Sequence, residues 1–127
     1  MKTILVDAVH SLIDLEWNIN LEMQKLLDSF ENRKIILTNA DYEKNNKFNL
    51  LNMPYSVFTL KNNPNKTNSE FYKIFLEKYN LNSDDVIYFE HNLEAVESAM
   101  SVWIKTFYYD KDKKNLTWLE KFLKENI

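Results

Sequence analysis

A single α/β domain, with a parallel sheet and helices on both faces, is the fold class the sequence predicts. Three observations carry it. Five short apolar runs, at 3–6, 34–37, 57–60, 86–89 and 104–109, are near-continuous and rich in β-branched or aromatic side chains, as strands buried on both faces are. Stretches of helical periodicity lie between them. Strand and helix alternate five times, which places the connecting helices on both sides of a parallel sheet.

Thr3-Ile4-Leu5-Val6 reads as the first strand and ends in Asp7. Met23, Leu26, Leu27 and Phe30 recur at i, i+3, i+4 and i+7, which predicts a helix over about 20–30 with Asn20 as its N-cap. The second strand ends in Thr38-Asn39, and the polar stretch 41–49 is read as the helix that follows it. Phe71, Ile74, Phe75 and Tyr79 stripe the next helix. Thr67-Asn68-Ser69-Glu70 opens it with a capping-box pattern, and Asn80 is placed to stop it in the left-handed conformation. Leu93, Val96 and Met100 stripe a helix begun at Asn92; Leu116, Leu119, Phe122 and Leu123 stripe the last, begun near Asn115.

A chain of 127 residues fits one domain, spanning 1–127, and the 45% hydrophobic share is ordinary for a globular core. Sixteen basic and nineteen acidic residues give a net charge of −3, with no basic excess to meet a phosphate backbone, so nucleic acid is not an expected partner. The cluster Lys111-Asp112-Lys113-Lys114 reads as a solvated loop. The absence of cysteine excludes disulfides, thiolate zinc sites and a cysteine nucleophile, and it fits the cytoplasm. No apolar run of about 18 residues is present, so no membrane span is expected, and the first strand is too short for a signal peptide. Glycine is absent, while asparagine, the residue next most tolerant of positive φ, occurs 17 times. A bias toward Asn, Lys, Ile, Tyr and Phe, as an AT-rich genome produces, accounts for this. Any motif that needs glycine has therefore been rebuilt or abandoned.

In a parallel α/β sheet the functional crevice lies at the carboxyl ends of the strands. Those ends carry Asp7, Thr38-Asn39, residues 61–66, Glu90-His91-Asn92 and Asp110. A carboxylate, a hydroxyl, the Lys66 cation and helix N-termini around one crevice make an anion-binding arrangement, with Asp7 a possible nucleophile. Taken alone, Asp7 would cap a turn, and Asp110 reads as a turn residue.

The order and spacing of these motifs resemble the haloacid dehalogenase-like (HAD) hydrolase superfamily over nearly the whole chain. Ile4-Leu5-Val6-Asp7-Ala8-Val9-His10-Ser11-Leu12 is similar to its first motif, Ile35-Ile36-Leu37-Thr38-Asn39 to its second, Lys66 with Glu70-Phe71 to its third, and Val86-Ile87-Tyr88-Phe89-Glu90-His91-Asn92 to its fourth. The resemblance implies a three-layer α/β/α sandwich with strand order 5-4-1-2-3. It also implies Asp7 as nucleophile forming an aspartyl intermediate, Thr38, Asn39 and Lys66 as phosphate-holding groups, and a Mg²⁺ ion. Val9 stands at the acid/base position and cannot transfer a proton, which forgoes a factor of roughly 10²–10⁴. His10 stands at a glycine position, and His91 at that of the main metal-binding carboxylate, where imidazole disfavours Mg²⁺. Glu90 or Glu94 offers a carboxylate from a shifted position.

Three readings of the two histidines remain open. His10 or His91 replaces the lost acid/base; or His10, His91, Asp7 and Glu90 hold Zn²⁺ or Mn²⁺; or both fill space after drift. The expected metal set is Asp7, Glu90 and His91. Trp103, at another family glycine position, reads as packing, and Trp17 as a cover for the crevice. About 30 residues separate Asp7 from Thr38 and about 28 separate Thr38 from Lys66, which leaves no room for a cap domain. In the family resembled, capless members act on macromolecules or borrow a partner as a lid, so the resemblance implies a phosphorylated substrate or a protein partner acting as a lid; the aromatic content is compatible with a homodimer. The function implied is a HAD-like hydrolase with an anion crevice and weak or lost Mg²⁺-dependent phosphatase activity. The alternative is a non-catalytic binding or scaffold protein on the same fold. A response-regulator receiver domain lacks support, because the third strand ends in Leu60-Lys61 rather than an aspartate.

Overall fold

The structure, a computed structural model, describes residues 1–40 and 53–127. The expected helix at 41–49 lies outside the described residues. Among the described residues five strands are formed: β1 (Thr3–Asp7), β2 (Lys34–Thr38), β3 (Ser56–Thr59), β4 (Val86–Glu90) and β5 (Lys105–Tyr108). All neighbours pair in parallel, in the order β3-β2-β1-β4-β5, as expected. β1 is central. Val6 lies beside Ile36 on one side and Phe89 on the other, and Asp7 opposite Leu37.

Side chains alternate across the sheet and build two cores. On one face Ile4, Val6, Ile36 and Phe89 pack with Met23 and Leu27 of α1 (Leu21–Asp28) and with Leu119 and Leu123 of α4 (Leu116–Asn126). On the other face Leu5, Ile35, Leu37 and Tyr88 pack with Phe71, Tyr72 and Phe75 of α2 (Ser69–Tyr79) and Ala99 of α3 (Leu93–Ser101). Full burial of Phe71 or Phe75 contributes roughly 1.5–3 kcal/mol each. The result is three layers, with no cap domain among the described residues. Among those residues no helix is long and apolar enough to cross a membrane.

Asparagine does much of the local work. Among the described residues, all four α-helices start on an asparagine whose side chain accepts a backbone N–H: Asn20, Asn68, Asn92 and Asn115. Such a cap contributes about 1 kcal/mol. Asn80 ends α2 at φ 53°, as expected. Two sequence expectations are corrected. The α2 cap is Asn68 rather than Thr67, because the Asn68 carboxamide reaches the Glu70 N–H. The α3 core face is Ala95, Val96 and Ala99, whereas Leu93 and Met100 point outward; small residues let α3 lie close to the sheet. Positive φ is also not left to asparagine alone. Besides Asn62 and Asn80, His10, Trp17, Lys61, Trp103 and Lys114 adopt it. His10 (φ 73°) and Trp103 (φ 69°) thus keep a glycine-like backbone without glycine, at a cost of roughly 1–2 kcal/mol each.

Candidate functional site

A cavity of about 360 Å³ opens at the carboxyl ends of β1, β2 and β4. Asp7, His10, Thr38, Asn39, Lys66, Glu90 and His91 all line it, so the structure brings together the residues expected to act in catalysis, phosphate binding and metal binding. Glu94 is exposed and does not line it. Val9 lines the wall and offers no proton-transfer group.

At the base lies a closed ring of alternating charges. Lys66 Nζ donates to Asp7 Oδ1 at 2.8 Å and to Glu90 Oε1 at 2.6 Å, and also to the Leu37 carbonyl at 3.2 Å. On the opposite side His91 Nδ1 lies 2.5 Å from Asp7 Oδ2 and 3.1 Å from Glu90 Oε2. Asp7 and Glu90 are 1% and 0% exposed, so each charge depends on these partners. Backbone and hydroxyl donors complete the set. Ser11 Oγ donates to Asp7 Oδ2 at 2.6 Å, the His91 N–H to the same oxygen at 3.1 Å, and the Asn92 N–H to Glu90 Oε2 at 3.0 Å. The Tyr88 hydroxyl donates to Glu90 Oε1.

Local folding sets these directions. After β1 the chain turns tightly, with the Leu12 N–H on the Asp7 carbonyl and the Ser11 and Ile13 N–H groups on the Ala8 carbonyl, which holds Ser11 over Asp7. Lys66 is fixed before α2 by its own N–H, which donates to Asn39 Oδ1 at 2.9 Å. Thr38 Oγ1 accepts the Ala40 N–H at 3.1 Å, leaving its hydroxyl hydrogen to donate.

The electrostatics follow from the ring. Burial opposes the charge of Asp7, yet the Lys66 charge and then the His91 hydrogen bond hold its carboxyl well below the usual range. Burial would lower Lys66, but the charges of Asp7 and Glu90 keep it firmly protonated. Burial likewise opposes a charged His91, and hydrogen bonds to Asp7 and Glu90 reverse that, pushing it up to about 9. His10 behaves oppositely: burial and the nearby His91 charge lower it. The two rings meet edge to face, with centroids 4.9 Å apart.

One ligand atom each of Asp7, Glu90 and His91 lie within 4.8 Å of one another, the expected metal set. The donor chemistry nevertheless does not fit Mg²⁺. The ion takes near-octahedral oxygen ligands, whereas here the Asp7 oxygens already accept protein hydrogen bonds and an imidazole nitrogen, His91 Nδ1, sits between the two carboxylates.

Trp17, expected to cover the crevice, instead packs against the core on the α1 and α4 face. Tyr109, just past the end of β5, lines a separate cavity of about 780 Å³ that also borders His10. Its hydroxyl is the buried side-chain polar atom without a partner among the described residues. Asp110 caps its own turn, accepting the Asp112 and Lys113 N–H groups. Ser11 and Tyr88 were missed. Ser11 follows Asp7 by four residues and is a short-range signal; Tyr88 sits inside an apolar run and reads only as core.

Two solved structures share the architecture. An uncharacterised protein from Corynebacterium glutamicum matches with a TM-score of 0.61 at 11% identity, over 98% of this chain and 96% of that one. The UTR4 protein (unknown transcript 4) of Saccharomyces cerevisiae matches with a TM-score of 0.55 at 12% identity, over 71% of this chain. This chain spans 46% of the UTR4 chain. At such identities the likeness shows the fold. No family model matches the chain, and no curated protein matches it significantly.

Proposed function

We propose that this is a HAD-like protein that holds an oxyanion, such as a phosphoryl group, in the crevice above Asp7, and that its Mg²⁺-dependent phosphatase activity is weak or lost. The observation that carries this reading is the engagement of Asp7. Its two carboxylate oxygens accept hydrogen bonds from Lys66, Ser11 and the backbone and ring of His91. A nucleophile needs a free lone pair toward the substrate; Oδ2, with three donors on it, has little to offer, and Oδ1 is held by the Lys66 ammonium. The acid/base position is Val9. The Thr38 hydroxyl hydrogen, the Asn39 side-chain amide and the end of the loop before α2 remain as donors toward an anion.

The test is hydrolysis of an aryl phosphate with Mg²⁺, Mn²⁺, Zn²⁺ or chelator, comparing wild type with Asp7→Asn, beside amide chemical shifts on addition of inorganic phosphate. Equal background rates, with phosphate-induced shifts around Asn39 and Lys66 that weaken in Thr38→Val, support the reading. Turnover abolished by Asp7→Asn overturns the loss of catalysis, and no phosphate shifts overturn the anion site.

One observation favours a second reading, a metal-independent hydrolase. His91, whose pKa is pushed up by the carboxylates, and His10, whose pKa is lowered by burial, meet edge to face at the crevice. There Asp7 would bond to phosphorus as the ester P–O bond breaks and His91 gives its proton to the leaving oxygen. His10 would then take a proton from the water that opens the aspartyl phosphate. Asp7→Asn separates the two.

A further inference from the structure

Two carboxylates buried side by side need two positive charges, and a divalent ion is one common source of them. Lys66 bridges Oδ1 of Asp7 and Oε1 of Glu90 at 2.8 and 2.6 Å. The remaining oxygens, Oδ2 and Oε2, face a second bridging position, and there the structure has His91 Nδ1, at 2.5 and 3.1 Å. A metal ion bonded to the same two oxygens at roughly 2.0–2.6 Å would overlap this nitrogen. The imidazole packs edge to face against His10, and swinging aside would cost it its contacts with both carboxylates.

We infer that the His91 side chain is a built-in replacement for a divalent cation between Asp7 and Glu90, so that the crevice neutralises itself and admits a metal only when that side chain is removed. This goes beyond the anion-binding reading and does not depend on it. The metal readout involves no phosphate, so the two ideas fail separately. Neutralisation from within also explains how two buried carboxylates coexist beside a single lysine. Lys66 alone would leave one negative charge without a counter-charge, a costly state in a buried site.

The experiment titrates Mg²⁺ and Zn²⁺ into wild type, His91→Ala and His91→Asp, read by calorimetry and by melting temperature. Wild type is expected to bind neither ion at millimolar concentration and to melt at the same temperature with or without it. His91→Asp, which supplies an oxygen ligand, is expected to bind one Mg²⁺ per chain, with a melting temperature that climbs with metal concentration. His91→Ala should gain a weaker version of the same response. Stoichiometric binding of either ion by wild type overturns the inference, as does a folded His91→Asp with no metal response. Should both variants fail to fold, imidazole ¹⁵N spectra of wild type decide. A His91 signal unmoved by excess Mg²⁺ or Zn²⁺ supports the inference, and one displaced by either ion overturns it.

Discussion

Replacing Lys66 with methionine removes the shared cation of the ring while keeping most of the side-chain volume. Its ammonium donates to Asp7, Glu90 and the Leu37 carbonyl, and the residue is 6% exposed, so water cannot take its place easily. The two carboxylates face each other with ligand atoms within 4.8 Å. At an effective dielectric of 20, two unit charges at that distance repel by roughly 3.5 kcal/mol. Breaking a buried pair by deleting one partner costs about 3–5 kcal/mol in general, which agrees. For a chain of 127 residues this lowers the melting temperature by roughly 10–20 °C. The pH profile changes sign as well. In wild type the folded-state pKa of Asp7 is depressed, so its contribution is present above the unfolded value near 3.8 and is lost as pH falls through the folded one. In Lys66→Met one carboxyl of the pair is held protonated, its folded pKa raised. Its contribution is then full below the unfolded value and lost as pH rises. Urea unfolding from strongly acidic to neutral pH reads both effects, and Lys66→Met with Glu90→Gln should recover most of the loss. A Lys66→Met protein within about 1 kcal/mol of wild type at neutral pH, with the same acid limb, would refute the reasoning.

Three further outcomes are expected. His91 has its folded pKa raised from 6.5 to about 9, so its contribution to stability is full below 6.5 and lost as pH rises through about 9; urea unfolding across that window should fall for wild type and stay flat for His91→Asn. Trp103→Gly should stabilise the fold by about 1 kcal/mol, because Trp103 is 83% exposed and sits at φ 69°; a melting temperature that drops instead would show that the indole itself stabilises the fold. Tyr109→Phe should cost nothing, or gain up to about 1 kcal/mol, since the lost hydroxyl has no described partner; a loss above that in calorimetric melting would reveal one.

Much of the architecture was legible because it rests on short-range patterns. Residues 3–6, 34–37 and 86–89 read as strands because a strand buried on both faces must be apolar throughout, and all three lie inside observed strands. Asn20, Asn92, Asn115 and Asn80 were readable as caps and stop because side-chain and backbone groups within three residues decide them. The α3 face was misread for a related reason. Periodicity ranks residues by hydrophobicity, whereas the sheet selected Ala95 and Ala99 over Leu93 and Met100 by size.

The sequence by itself determined that β-strands and helices alternate, and that Asp7, Thr38, Lys66, Glu90 and His91 stand at or just beyond strand ends. Strand-end position follows from local pattern, and a parallel sheet collects such ends on one side. What those residues do to one another was decided only by the tertiary structure. Lys66 meets Asp7 across 59 positions and Glu90 across 24, and His91 meets Asp7 across 84. Sequence pattern could name a lysine and a histidine at the crevice, but not that each bridges the same two buried carboxylates. Protonation states depend on distance and burial, and both exist only once the chain has closed the ring.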